Sequence, residues 1–396
     1  MTSATTSISS ERAVAQSPVW KTHTALYFAS FVALGLMTAA IGPALPSLAE
    51  RAQSSLSDAG FLFTSLSLGY MMGSFVGGRL FDRAKGNRAM GAVLIAAAAM
   101  MALVPMVSSL WLLIIVVFAL GLAQGATDVG GNALLVRIHR RGVGPFMNCL
   151  HFSFGLGASL APALVAQSIR ISSSINWAWW AIALFTLPIA ACLLLLSGPA
   201  AQKAHEAENG GRSNSALIAL IAIFLFLYVG AEVGFGGWIY SYARAIGAGE
   251  MASGYVTSIF WGAFTIGRLI GIPIAARFLP QLILAGDLAG CLLSVAILLL
   301  WPDSIAALWT GATGLGLSMA SVFPAMLSLA ERRLTVSARV TGRFILGASA
   351  GSMFLPWLIG QLFDTHGPQS MNFVILAALV AAVAVFAIII FHSHSE

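Results

Sequence analysis

Predominantly apolar stretches long enough to cross a bilayer recur twelve times along the 396 residues of this chain. The hydrocarbon layer is roughly 30 Å thick, and a crossing α-helix needs about 20 apolar residues. Within that layer every backbone N–H and C=O must be satisfied inside the protein, so only helices and closed barrels span it. Runs of this length, without two-residue alternation, predict helices. The predicted spans are 24–48, 57–81, 88–108, 110–137, 144–168, 176–197, 215–241, 252–278, 280–301, 304–329, 338–363 and 369–391. Charged residues are 9% of the chain and the apolar set 59%, too few charges to cover a water-soluble domain.

The net charge of +6 is explained by placement. Under this topology the tails and alternate loops hold sixteen of the twenty Lys and Arg. The opposite side has Arg51, Arg170 and Arg244, and Arg268 falls inside a span. That asymmetry predicts both termini in the cytoplasm of a plasma (inner) membrane. The basic balance is an orientation signal, and no nucleic-acid partner is expected. Residues 1–22, polar and Ser/Thr-rich, lack the short apolar core of a cleavable signal and predict a disordered cytoplasmic tail. Cys149, Cys192 and Cys291 sit in spans without metal-binding or CxxC spacing and predict packing roles.

The one sizeable polar interruption, residues 198–214, predicts a flexible linker between an amino-terminal bundle over 23–197 and a carboxy-terminal bundle over 215–392. A shift of 194 residues lays Gly60, Gly77 and Arg83 on Gly254, Gly271 and Arg277. It also lays Gly157, Pro162, Leu164 and Gln167 on Gly351, Pro356, Leu358 and Gln361. A duplicated six-helix unit is the simplest account, and such repeats place a solute site between the halves near mid-membrane. The expected fold is therefore all-α and integral to the membrane: twelve transmembrane helices in two six-helix bundles related by an internal repeat. Gly69, Gly73 and Gly77, four apart, predict a close helix contact in the second span.

Polar residues inside the spans are the candidate site. Gln124, Asp128 and Asn132, spaced i, i+4, i+8, form a stripe on the fourth span. A charge near the bilayer centre costs at least a few kcal/mol, which a cavity, a partner charge or a bound ion must offset. Asp128 is the expected ion-coupling residue, with Gln124 and Asn132 offering amides to solute or ion. His151, at comparable depth on the fifth span, is placed to bond Asp128 or Asn132 or to meet a solute oxygen. Glu232, the second intramembrane carboxylate, lies among Gly230, Gly234, Gly236 and Gly237, which predicts an irregular or broken seventh helix. Trp238 and Trp261 offer flat apolar faces to a sugar ring, Trp238 also fitting an interfacial aromatic belt. Arg268 and Asp287 have matching depth and predict a structural ion pair. Phe323 stands near the place Asp128 would occupy after duplication, and Pro324 beside it predicts a kink.

The loop GGRLFDRAKGNR, with Gly78, Asp82, Arg83, Gly86 and Arg88, resembles the loop motif of the major facilitator superfamily, with one extra residue between Arg83 and Gly86. The resemblance implies a conformational latch of Gly78, Asp82 and Arg83, with Arg343 or Arg339 as cationic partner. GPALPSLAE (42–50), GATDVGGNALL (125–135), LHFSFGLGASLAP (150–162), YVGAEVGFGGWIYSYA (228–243) and SIFWGAFTIGR (258–268) resemble the sodium-dependent glucose transporter branch, a relative of the fucose:proton symporters. That branch implies uptake of a hexose or similar polyol by alternating access, with Na+ or H+ as coupling ion and Asp128 and Glu232 facing the pathway. The acidic residue that fucose-symporter relatives carry in the first span is missing here. Efflux of amphipathic drugs or lipids by proton antiport is the alternative, although GLGASLAP (155–162) lacks the GP-then-GG arrangement of such pumps. No HExxH, GxSxG or Walker-type loop is present, so no enzyme chemistry, cofactor or structural metal is expected. The architecture needs no protein partner and predicts a monomer in the lipid bilayer.

Overall fold

The structure, a computed structural model, describes residues 19–83, 86–198, 214–334 and 338–392. Residues 1–18 of the predicted tail and most of the linker therefore lie outside the described residues, while residues 19–22, expected to be disordered, form the first turn of a helix. Within the described residues all regular structure is helical. The elements are α1 (Val19–Ala39), α2 (Ile41–Arg51), α3 (Leu56–Ala59), α4 (Phe61–Arg83), α5 (Gly86–Leu103), α6 (Leu110–His139), α7 (Val143–Ser172) and α8 (Asn176–Leu195). The second half has α9 (Ser215–Ala245), α10 (Glu250–Ala275), α11 (Pro280–Leu300), α12 (Ile305–Met319), α13 (Val322–Glu331), α14 (Ala338–His366) and α15 (Ser370–His392). Twelve helices have the length and composition of membrane spans, one for each predicted span.

Three predicted spans are interrupted: the second divides at Gly60 between α3 and α4, and proline explains the other two. Pro43 has no N–H for the Ala39 carbonyl, and α1 ends at Ala39 before α2 begins. Pro324 withholds the same bond from Ala320, and the tenth span divides into α12 and α13 around Ala320 and Ser321, the expected kink. The seventh span is not broken. α9 runs unbroken for 31 residues, because its glycines serve contact with neighbours. A methyl at Gly237 would meet the Phe63 ring at 2.8 Å, and one at Gly234 would meet Ile359 at 2.9 Å.

The duplication is visible in packing. In the first half α1 packs on α7, α4 on α6 and α5 on α8; in the second α9 packs on α14, α10 on α12 and α11 on α15. Gly157 brings α7 onto the Val32 carbonyl of α1, and Gly351 brings α14 onto the Phe226 carbonyl of α9. Both partners of the first contact fall on both partners of the second after 194 residues. Gly69 and Gly73 lie against the carbonyls of Phe118 and Leu122, the helix contact predicted for the second span. Of the cysteines, Cys291 is buried while Cys149 and Cys192 are exposed, so two of the three do not pack inside.

The halves meet along two seams, α7 against α10 and α4 against α14, and the same offset relates them. Gly60 faces Gly360 in one seam and Gly254 faces Ala166 in the other. Thr64 Oγ1 donates to the Met353 carbonyl at 3.0 Å; its counterpart Ser258 accepts from the Ala163 N–H at 3.0 Å. Gln361 Nε2 donates to the Ser57 carbonyl at 3.1 Å, and Gln167 Nε2 to Tyr255 Oη at 2.8 Å. Ser57 N–H also donates to Asp364 Oδ2 at 2.8 Å. These bonds lie in the half of the membrane away from the ends of α1 and α15, here called the distal half. On the terminal face Phe75, Val76 and Leu346 are more than half exposed. Among the described residues no hydrogen bond crosses between the bundles on that side.

Adding side chain at Gly351 should force α14 from α9. Gly351→Leu is expected to cost about 1–3 kcal/mol or more, as overpacking does, and to lower the melting temperature of the detergent-purified protein. Gly286→Ala, where nothing lies within 4 Å, should leave that temperature unchanged or slightly raised.

Candidate functional site

The fourth span sets the first carboxylate. Gly121 and Gly125 on α6 lie against the backbone of Leu66 and Tyr70 on α4. That close approach brings the Tyr70 hydroxyl to Asp128, where it donates to Oδ2 at 2.8 Å. Asn132 Nδ2, one turn along α6, donates to Asp128 Oδ1 at 3.0 Å. The carboxyl is thus held from both sides and stays partly open to the interior. Tyr70 was not singled out in the sequence; the one signal was a lone phenol between Gly69 and Gly73.

The second carboxylate comes from the other bundle. Tyr228 Oη on α9 lies 2.6 Å from Glu232 Oε2 and 2.6 Å from the Met319 carbonyl, the last residue of α12. A phenol has a single proton and a carbonyl can only accept. Both contacts are hydrogen bonds at once when Glu232 carries a proton and donates to Tyr228. When Glu232 is ionised, Tyr228 has to choose between the carboxylate and the end of α12. The charge on Glu232 is therefore read out at the break in the tenth span.

Arg268 joins the two. Its charge acts on Asp128, His151, Tyr228 and Glu232, while its guanidinium lies over the Phe264 ring, 4.5 Å from the centroid. The expected ion pair with Asp287 is not formed. Ser321, at the break between α12 and α13, donates to Asp287 Oδ2 at 2.7 Å, while Arg268 lines the cavity and makes no ion pair of 4 Å or less with a carboxylate among the described residues. Matching depth identified two residues at one level, but could not tell which way each faced. Arg268 belongs to the site.

His151 is exposed and stands edge-on to Phe31 with centroids 6.0 Å apart. No hydrogen bond joins it to Asp128 or Asn132 among the described residues; it feels Asp128 and Arg268 through charge alone. A cavity of about 470 Å³ lies between α7, α10, α11 and the tenth span, with His151, Asn148, Thr265 and Arg268 in its wall and Arg332 and Phe278 near the terminal face. Asp128, Glu232, Gln124, Asn132 and Trp261 are not among the residues that line it.

Trp261 and Trp238 part company. Trp261 packs near Arg268, edge-on to Phe264 at 5.8 Å, and its indole N–H is buried without a partner. Gln124 Nε2 and Arg268 Nε are likewise unpartnered. Unmet donors of this kind suit a hydroxyl-bearing solute. Trp238 is wholly buried, donates to the Pro356 carbonyl at 2.8 Å and packs on Phe63 and Phe363. It seals the distal half and belongs neither to the site nor to an interfacial belt. Of the proposed latch, Gly78 faces open space and Arg343 is exposed; the side chains of Asp82 and Arg83 lie outside the described residues.

Two repeated bundles, sealed on one side and enclosing charged groups beside a cavity, define a membrane carrier. Residues 26–342 match the Major Facilitator Superfamily, and the chain belongs to it. It is 30% identical over 381 residues to sodium-dependent glucose transporter 1A of Mus musculus, covering 86% of this chain and 89% of that protein. It is also 30% identical to sodium-dependent glucose transporter 1 of Homo sapiens, covering 90% and 76%. The fold matches the crystal structure of the nucleoside transporter NupG with a TM-score of 0.74 at 14% identity, over 92% of this chain and 98% of that one. For a D-xylose-proton symporter the TM-score is 0.69 at 13% identity, over 91% and 96%.

If Trp261 meets the solute and Trp238 does not, their conservative variants should separate in transport assays. Trp261→Phe, by losing a hydrogen bond to the solute, should raise KM about tenfold. Trp238→Phe should leave KM near its normal value and weaken closure of the distal half.

Proposed function

We propose that the protein is a cation-coupled sugar carrier of the cytoplasmic membrane, taking up a hexose by alternating access. The observation that carries this reading is that one guanidinium in the cavity wall, Arg268, lies in the electrostatic field of a carboxyl from each bundle, Asp128 and Glu232. The names of the relatives point to glucose as the solute and to sodium as the coupling ion. The solute lies between Trp261, Arg268 and His151, whose N–H groups meet its hydroxyls. Asn132 adds a polar contact from the opposite bundle. The chain works as a monomer.

The excess of Lys and Arg on the terminal face puts that face in the cytoplasm, so this structure corresponds to the inward-open state. Closing it requires the bundles to rock about the centre and to part the distal seams. Gly78, Asp82, Arg83 and Arg343 then form the latch of the closed cytoplasmic face. Glu232 links occupancy to motion, since its charge decides whether Tyr228 holds the end of α12.

Coupling is lost when the first carboxyl is made neutral. In proteoliposomes, Asp128→Asn should abolish glucose accumulation driven by a cation gradient while leaving exchange of labelled for unlabelled glucose measurable. Normal accumulation by that variant would remove Asp128 from the coupling role. A glucose-dependent rise in the melting temperature of the wild-type protein, which specific binding produces by mass action, checks the solute itself.

A further inference from the structure

The ion that accompanies the sugar has a place in the amino-terminal bundle, and one proton reveals it. Thr38 Oγ1 lies 2.8 Å from the Leu34 carbonyl and 3.2 Å from the amide of Gln124. The hydroxyl has one hydrogen, and the shorter contact, to a carbonyl that only accepts, takes it. The longer contact is a hydrogen bond when Gln124 Nε2 is the donor, and the two ends of an amide are interchangeable in an assigned structure. The other end of that amide is buried with no partner. With nitrogen on Thr38, that end is Oε1, an unmet acceptor.

Thr127 lies on the same face of α6, three residues on. Like Gln124 it is 1% exposed, and its Oγ1 has no partner. Thr186, Thr257 and Thr265 each donate back to the carbonyl four residues earlier; Thr127 does not. Asp128 follows, each oxygen accepting one bond and each keeping a free lone pair. Oxygen is thus supplied by an amide, a hydroxyl and a carboxylate, with no nitrogen or sulfur donor. Hard cations take such ligands, and one carboxylate balances a single positive charge.

We propose that Gln124 Oε1, Thr127 Oγ1 and the Asp128 carboxylate bind a monovalent cation of the sodium type. This rests on the cation-coupled reading above and fixes where its ion sits: in the amino-terminal bundle on the face of α6 turned to the first span, apart from the sugar contacts on α10.

The test is a thermal-shift titration of the purified protein with sodium chloride in place of choline chloride, first without sugar. Sodium should stabilise the wild type and potassium should not. Thr127→Val keeps the volume and removes the oxygen, and should raise the half-saturating sodium concentration about tenfold or more, the loss of one contact to a charge. Thr127→Ser should restore it. Gln124→Met carries the same expectation if Thr127→Val does not fold. A wild type indifferent to sodium, or a Thr127→Val protein that titrates like wild type, overturns the site. Repeating the titration with glucose separates the two ideas. Sodium stabilisation that depends on Thr127, with no response to glucose, supports the ion site and refutes the sugar; a glucose shift untouched by sodium does the reverse.

Discussion

A guanidinium held within a bilayer must be answered by negative charge, and Arg268 is answered from both halves of the chain. Asp128 comes from the first bundle and Glu232 from the second, and isolated charges in this medium would each cost at least a few kcal/mol. The surrounding structure fixes each of these three groups separately. Tyr70 and Asn132 fix Asp128, Tyr228 fixes Glu232, and Phe264 supports the guanidinium from below. With two carboxyls and one guanidinium, the centre can accommodate one further positive charge, as a bound cation or as a proton on an acid. The proposed coupling rests on that vacancy in charge.

Symmetry explains how such a centre is exposed to one side at a time. The seams α4–α14 and α7–α10 use equivalent residues at equivalent depth, Thr64 and Ser258, Gln361 and Gln167. Each bond reaches the other bundle in the distal half, so the two seams open or close together. Their weakest shared feature is polar: side-chain hydrogen bonds, which cost little to exchange for water when the seam parts. Within each bundle, glycine-based contacts such as Gly157 on Val32 and Gly351 on Phe226 have no slack, and the seams add close contacts of the same kind at Gly60 and Gly254. On the proposed mechanism the bundles move as bodies, with bending at the breaks at Ala40 and at Ala320 to Ser321.

Much of this was legible in the residues themselves. Span-length apolar runs are set by the thickness of the bilayer, and all twelve were recoverable. The repeat was recoverable because glycine and proline positions that set helix contact cannot drift. Direction was harder to read. Arg268 and Asp287 share a depth, yet Ser321 captures Asp287 and the arginine points inward; a rotation about the helix axis is invisible when only one helix is considered. Gly230 to Gly237 suggested a broken helix, because glycine weakens a helix in water and permits close packing in a membrane. Trp238 suited a sugar, a membrane interface or a seam equally well until its neighbours Phe63 and Phe363 were known.

The most direct test of the central claim is a pair of spin-label distances in one protein reconstituted in lipid. One pair, at Asp58 and Thr365, spans the distal seam; the other, at Arg79 and Ile345, spans the terminal face. Sodium and glucose together should lengthen the first distance and shorten the second in the same fraction of molecules, and Arg268→Gln should abolish that exchange. Distances that stay fixed on both faces with ligand present, or that change alike without Arg268, would contradict a centre whose charge balance moves the two bundles.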